Sequence, residues 1–453
     1  MFKINYLFLI IYFIIILIIG YFSSRKESSE EYLIGGRKLT AWTIAFTIAA
    51  SFIGGNTLVN FTGFVYRYGA AMMWAMLGTV FGFIAVIPLV KRMRKFTEKN
   101  RFYTISDYLT LRYGSHTGLI ATLIIMVWFL LSLVVQFIAG AVVIQSISLI
   151  SYIPAILLMG VIVLVYLFMG GFKAVVKTDI FQYILFVVLF IIIIFSISQG
   201  KNLQLSSFFR LSDVGFGKLF AFFIIAAGFV ITAPELWQRV YAGKNKRETI
   251  KGLIITSGLF LIIAFCIGIL GLTARVSFSG IEPGEAAILG LSQLLPPVLQ
   301  ELGSVLFFAV IMSTIDTILF ILASNFSRDI FHNFLNKEFN QVKLTKIGLF
   351  IFTALSVLIA ILYRDILILG LSFISIGMSF APVLIGSFYF NLKPNAVKLA
   401  LISSLVSVFI LLFLGIVRPE TSIISLPVSF IFLLLGQIIF KAKNNPSHIN
   451  FSE

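Results

Sequence analysis

Apolar residues run through this chain in long blocks separated by short polar gaps, with none of the strict alternation of a strand and little of the one-sided stripe of a surface helix. A helix of about 20 apolar residues crosses a hydrocarbon layer of roughly 30 Å, and hydropathy along the 453 residues gives thirteen such candidates. The first six run Tyr6 to Phe22, Thr40 to Phe61, Tyr68 to Val90, Thr117 to Ile147, Ile153 to Met169 and Thr178 to Ser198. Seven more follow: Phe216 to Trp237, Ile250 to Thr273, Leu299 to Asn325, Leu344 to Tyr363, Leu367 to Phe390, Val397 to Val417 and Ser422 to Ile439. The expected fold class is therefore an all-α polytopic membrane protein, with no sizeable soluble domain between the spans.

Composition agrees, because 60% of positions are hydrophobic, 11% are charged and mean hydropathy is +1.07. The net charge of +16 changes the picture only through where it sits. With the N-terminus outside, 26 of the 34 Lys and Arg fall in connections on the cytoplasmic side, notably Lys91 to Arg112 and Arg239 to Lys251, and 8 fall outside. That asymmetry predicts an outer N-terminus and a cytoplasmic C-terminus in a cytoplasmic (inner) membrane. Short basic loops without a soluble fold argue against nucleic-acid binding. The first span reads as a retained helix, since it is long, lacks an A-x-A-like cleavage site and is followed by Arg25 and Lys26.

Several function classes drop out. No G-x-x-x-x-G-K-[ST] motif is present, so a nucleotide-driven pump is not expected. His116, His332 and His448 lack metal-ligand spacing and read as solvated loop residues, which leaves no catalytic constellation and no enzyme. The lone Cys266 lies in an apolar run and reads as a small buried hydrophobe.

Two spans are interrupted at comparable depth. The second holds "AASFIGGNTLVN" with Gly54 and Gly55, and the seventh holds "AAGFVITAPELW" with Gly228 and Pro234. Paired breaks in two halves are the mark of secondary transporters, where unwound backbone coordinates ions and solute. Residues 40–198 and 199–390 then form two inverted repeats of five helices, preceded by an extra helix and loop over 1–39 and followed by two helices and a short tail over 391–453. The ninth span adds a polar stripe, with Ser313, Asp316, Thr317 and Ser324 on one helical face and Thr314 beside it. Hydroxyl and carboxylate oxygens are hard donors that suit an alkali cation, and a carboxylate inside a membrane calls for a functional reason.

Four segments, "YLIGGRKLTAWTIAFTIAASFIGGNTLVNFTGFVYRYG", "GGFKAVVKTDIFQYI", "ELWQRVYAGKNKRETIKG" and "AVIMSTIDTILFILASNFSRDIF", resemble successive signatures of the sodium:solute symporter family, which includes sodium/proline, pantothenate, sugar and sialic acid symporters. The resemblance runs from about Tyr32 to Phe390 and implies a leucine-transporter-type fold. It also implies a sodium site made of the backbone carbonyls of Ala50, Ile53 and Val310 and the hydroxyls of Ser313 and Thr314. A second site in some members maps onto Asp179, Asp316 and Thr317. Asp316 departs from the family's serine, and three readings stand: a stronger cation site, a proton site, or a pairing with Lys173, Lys177 or Arg239. A further aspartate of sodium/proline symporters is Phe52 here, which argues against proline, and the polar set of sugar-transporting members has no counterpart.

The solute is expected beside the two breaks. Candidate contacts are Asn56, Thr57, Trp74, Thr232, Glu235 and Ser375, although Asn56 and Thr57 also suit a half-helix cap, Trp74 an interfacial anchor, and Glu235 a pairing with Arg239. The expected function is sodium-coupled symport of a small organic solute into the cell by alternating access. Proton coupling is the alternative that Asp316 keeps open, and a channel, a facilitator or a solute sensor are the rivals from other classes. Only "KAKNNPSHINFSE" follows the last span, where a sensor is expected to carry a long signalling domain. No cofactor beyond sodium is expected, and the expected partners are the solute, the ion and the bilayer, with no nucleic acid and no obligate protein partner.

Overall fold

The structure is a computed structural model that describes residues 4–23, 28–148, 150–198, 215–336, 339–418 and 420–441. Arg25, Lys26 and His448 lie outside the described residues, as do the basic residues Lys3, Lys201, Arg210, Lys337 and Lys443 counted above.

Helices follow one another along the chain. The first half contains α1 (Ile4–Ser23), α2 (Ser29–Ile34), α3 (Ala41–Phe52), α4 (Thr62–Tyr68), α5 (Met73–Ala85), α6 (Ile87–Lys99), α7 (Ile105–Tyr113), α8 (Ser115–Ile147) and α9 (Tyr152–Ser198). The second contains α10 (Phe216–Thr232), α11 (Pro234–Ala242), α12 (Lys246–Ser277), α13 (Ala286–Leu294), α14 (Pro297–Asn325), α15 (Gln341–Leu362), α16 (Ile366–Met378), α17 (Phe380–Tyr389), α18 (Pro394–Phe413) and α19 (Ser425–Ile439). Among the described residues the extended pairing is confined to one isolated bridge, between Leu39 and Gly243.

Among the described residues, seven helices are long and apolar enough to cross a membrane, and up to ten spans result when each of three bent pairs is taken as one. The helices α1 and α19 are apolar but shorter. The chain passes from the expected fifth span to the sixth within α9 and without a loop, since Gly171 leaves the helical region at φ 52°, ψ −147°. A Cβ there would stand 2.5 Å from the Tyr32 ring, so this turn needs glycine for its conformation and for its clearance.

α14 lies at the centre, with its apolar window wholly buried by protein. Around it, α1, α3, α8, α9 and α15 pack. Helices at the periphery turn large side chains outward, such as Phe195, Phe350, Phe409 and Ile438, which suits acyl chains because apolar solvent removes the penalty for exposing them. α5 and α10 pack closely through Gly78 and Gly82, one turn apart, where a Cβ would stand 2.9 Å from Phe223 Cα and 2.8 Å from the Ala227 carbonyl oxygen.

Candidate functional site

Both expected breaks are present. α3 stops at Phe52, where Ile53 donates back to the Ala50 carbonyl at 3.3 Å, and the second half of the span departs at 62°. This half opens with a π-helical turn, Asn56–Phe61, before α4. The break between α10 and α11 bends by 42° at Ala233, whose ψ of 114° is set by the following Pro234. Trp237 Nε1 donates to the Ile231 carbonyl at 2.9 Å and so spans this second break. Each break frees backbone groups that a continuous helix would pair internally.

α14 passes against the first break. Thr314 Oγ1 donates to the Ser51 carbonyl at 3.2 Å, and a Cβ on Gly54 would stand 2.6 Å from Thr314 Cβ, so only glycine admits this approach. Ser313 Oγ donates to Asp179 Oδ1 at 2.7 Å. Val310 lies one turn before Thr314 on α14, and Ala50, Ile53, Val310, Ser313 and Thr314 are all buried. From α8, Gln136 accepts the Gly55 N–H through Oε1; this buried cap of the second half-helix has no signal in the sequence beyond a lone amide inside an apolar span.

The expected second set divides. Arg239 on α11 donates through Nη2 to Asp179 Oδ2 at 3.2 Å, Thr317 Oγ1 at 2.8 Å and Ser51 Oγ at 3.2 Å, and through Nε to Thr47 Oγ1 at 3.4 Å. Thr47 itself donates to Asp179 Oδ2. Asp179 and Thr317 are thus joined through an arginine. Asp316 faces elsewhere: its Oδ2 accepts from Tyr166 Oη at 2.9 Å and Thr178 Oγ1 at 3.0 Å, and its Oδ1 accepts from the Thr317 N–H at 2.9 Å. The expected pairing of Asp316 with Lys173, Lys177 or Arg239 is not formed among the described residues, and Lys173 Nζ instead lies 3.5 Å from Glu31.

A small cavity of about 40 Å³ lies between the breaks, walled by Phe52, Phe61, Phe229 and Phe260 with Thr57 and Thr79. Of the five expected solute contacts whose side chains are described, Thr57 lines it. Trp74 is 44% exposed and on the outside of α5. Thr232 donates to its own helix at Gly228 and Phe229, and Ser375 donates to Ser425 on α19 at 3.2 Å. Glu235 is buried beside the second break, and among the described residues its Oε2 lacks a hydrogen-bond partner and the expected pairing with Arg239 is absent. Asn56 begins the second half-helix, and its side chain lies outside what the structure describes. The sequence arguments passed over Thr79 and the phenylalanines because apolar residues in an apolar span carry no distinguishing signal.

Comparison with known proteins gives a consistent result. Over 318 residues the chain is 26% identical to a sodium/pantothenate symporter of Haemophilus influenzae, a match covering 66% of each chain. It is 24% identical over 424 residues to sodium/proline symporter 2 of Staphylococcus saprophyticus, covering 85% of this chain and 81% of the relative. The solved structure of a Na+-coupled sialic acid symporter in a substrate-bound outward-open state superposes with a TM-score of 0.80 at 21% identity, over 97% of this chain and 99% of that one. The likeness gives this chain the leucine-transporter-type fold. The model of the sodium:solute symporter family matches residues 32–396, and the chain belongs to that family of membrane transporters.

Proposed function

We propose that the chain carries a small organic solute into the cell together with sodium, by alternating access about the two breaks. The observation that carries this reading is the approach of α14 to the first break, where the Thr314 hydroxyl meets the Ser51 carbonyl beside the buried Ala50, Ile53, Val310 and Ser313. Three carbonyls and two hydroxyls would supply hard oxygen donors suited to a monovalent ion, with the Asp179 carboxylate hydrogen-bonded to Ser313 behind them. The ion ties α3 to α14, so it binds tightly only in conformers where the two meet; coupling is that difference in affinity between states.

We read residues 40–198 and 199–390 as the two inverted repeats and the whole as thirteen spans, counting α9 as two at Gly171, each bent pair as one, and α1 and α19 as spanning. An outer N-terminus in the cytoplasmic membrane follows from the basic connections. We assign one sodium per cycle, because Arg239 already supplies the cation between Asp179 and Thr317. Sodium activation of transport in Ser313→Ala and Thr314→Ala tests the site: each is expected to raise half-saturating sodium about tenfold or more, the loss of one good ligand being worth roughly 1.4 kcal/mol. Wild-type activation in both contradicts it.

A further inference from the structure

A groove of about 510 Å³ opens between α17 and α19. Near its start α19 is stitched to the preceding helices, where Ser425 Oγ donates to the Ser375 carbonyl at 2.5 Å and Ser429 Oγ to the Ser379 carbonyl at 2.7 Å. At its other end Gln437 holds the connection before α18: its Oε1 accepts the Lys393 N–H at 3.2 Å, and its carbonyl accepts from Lys393 Nζ. Between these fastenings the helices stand apart, and Pro382, Ile385, Phe430 and Leu434 wall the space. Ile385, Phe430 and Leu434 remain 38%, 51% and 48% exposed, so the described chain leaves this wall to an apolar occupant.

The groove has the length of one leaflet. Its lining runs along α19 from Leu426 to Gln437, a rise of about 16 Å at roughly 1.5 Å per residue, against roughly 15 Å for half a hydrocarbon core. One end is polar, with Asn391 and Gln437 in the lining. Gln437 Nε2 is buried there with no hydrogen-bond partner among the described residues. A buried donor left unpaired is costly, which points to an acceptor supplied from outside the chain. Lys393 commits one ammonium proton to the Gln437 carbonyl and makes no ion pair among the described residues. No Asp or Glu lines the groove, and none occurs in "NLKPNAVK" or "QIIFKAK" at its polar end. This end is therefore positive, and its connection is one of those expected on the cytoplasmic side.

We infer that the groove is a site for an anionic phospholipid of the cytoplasmic leaflet, with one acyl chain along Ile385, Phe430 and Leu434 and the phosphate accepting from Gln437 Nε2 and Lys393 Nζ. A phosphatidylcholine fits less well, because its choline finds no carboxylate there. The lipid braces α17, whose Phe388 stacks on Trp237 of α11 with ring centroids 6.0 Å apart, and so supports the helix just past the second break. The site stands apart from sodium coupling and does not depend on it.

Thermal unfolding of the delipidated full chain in detergent tests the site with three probes: dioleoylphosphatidylglycerol, dioleoylphosphatidylcholine and glycerol 3-phosphate. Phosphatidylglycerol is expected to raise the midpoint saturably, with its half-effect at a concentration at least about fivefold below that of phosphatidylcholine, roughly what one basic group near an anionic lipid contributes. Glycerol 3-phosphate, a head group without chains, is expected to give no shift at those concentrations. Lys393→Gln and Gln437→Leu are each expected to narrow the preference for phosphatidylglycerol. Ile385→Trp, which fills the groove, is expected to weaken both lipids, and the midpoint without lipid reports that each variant is folded. Equal responses to the two lipids in wild type, or a response to glycerol 3-phosphate matching that to phosphatidylglycerol, overturn the inference. Responses that all three variants leave unchanged overturn it as well. Light scattering from the same samples covers the other occupant: two chains per particle, reduced to one by Ile385→Trp, would assign the groove to a second copy and overturn the lipid site.

Discussion

Arg239 Nη2 lies 3.2 Å from Asp179 Oδ2 at a place where both side chains are essentially inaccessible, 1% and 0% exposed. α11 just past the second break is thereby bound to α9, and through Thr47, Ser51 and Thr317 the same guanidinium reaches α3 and α14. A pair so buried is costly to break by halves, because the surviving charge is left in a low-dielectric interior. Arg239→Met and Asp179→Asn are each expected to destabilise the fold by about 3 to 5 kcal/mol, and the double variant by clearly less than their sum. A double-mutant cycle on unfolding in detergent checks this, and additive losses contradict it.

Gly54 is required by clearance. Its replacement by Ala would place a methyl 2.6 Å from Thr314 Cβ and 2.7 Å from Gln136 Oε1, so α14 or α8 must move. Overpacking of this kind costs about 1 to 3 kcal/mol, and Gly54→Ala is expected to lose sodium activation as well as stability. Gly217→Ala, where a Cβ meets nothing within 4 Å, is the matched control and should leave both in place.

Asp316 is held by Tyr166 and by Thr178, the residue before Asp179, and makes no hydrogen bond to Arg239 among the described residues. Sodium activation of Asp316→Asn is accordingly expected to stay within about twofold of wild type, far from the tenfold or greater change expected at Ser313. Asp316→Leu should behave differently in a stability assay, losing about 1 to 3 kcal/mol for each hydroxyl it strands. A large sodium defect in Asp316→Asn would return this residue to the ion site.

The end of the bundle expected to face the cytoplasm is fastened by Arg37, which donates to the Phe102 carbonyl at 2.9 Å, the Tyr241 carbonyl at 3.2 Å and Glu30 at 2.9 Å. A second fastening joins Thr104, the N-cap of α7, to Asp329 at 2.8 Å. In a Cys266→Ala background, Arg37→Ala is expected to speed alkylation of Ala233→Cys from the cytoplasmic side several-fold, since losing two or three charge-assisted bonds shifts a balance set by a few kcal/mol. Unchanged alkylation would show that these bonds do not govern inner opening.

What the sequence displayed and what it hid have physical reasons. Gly54 and Pro234 were legible because both residue types weaken the helical hydrogen-bond ladder and stand at comparable depth in two spans, and both breaks lie where they were expected. Ser313 and Thr314 stood out as hydroxyls in an apolar span. The stripe that grouped Asp316 with Ser313 and Thr317 failed at the level of side-chain direction: helical spacing places three residues on one broad face, yet Asp316 turns to Tyr166 while Thr317 turns to Arg239. Pairing by sequence offset failed for Glu235 and Arg239 because Arg239 is drawn into a cluster assembled from α3, α9 and α14, contacts remote in sequence. Of the solute contacts expected from polarity, Thr57 lines the cavity, whose remaining described walls are mainly apolar.

The most direct test of sodium coupling is binding of radioactive sodium to the purified chain, competed by unlabelled sodium, lithium and potassium, in wild type and in Ser313→Ala. Saturable binding displaced by sodium and not by potassium, fitting one ion per chain and lost in Ser313→Ala, is the predicted result. Absence of saturable sodium binding, or binding that Ser313→Ala leaves at wild-type strength, would contradict the account.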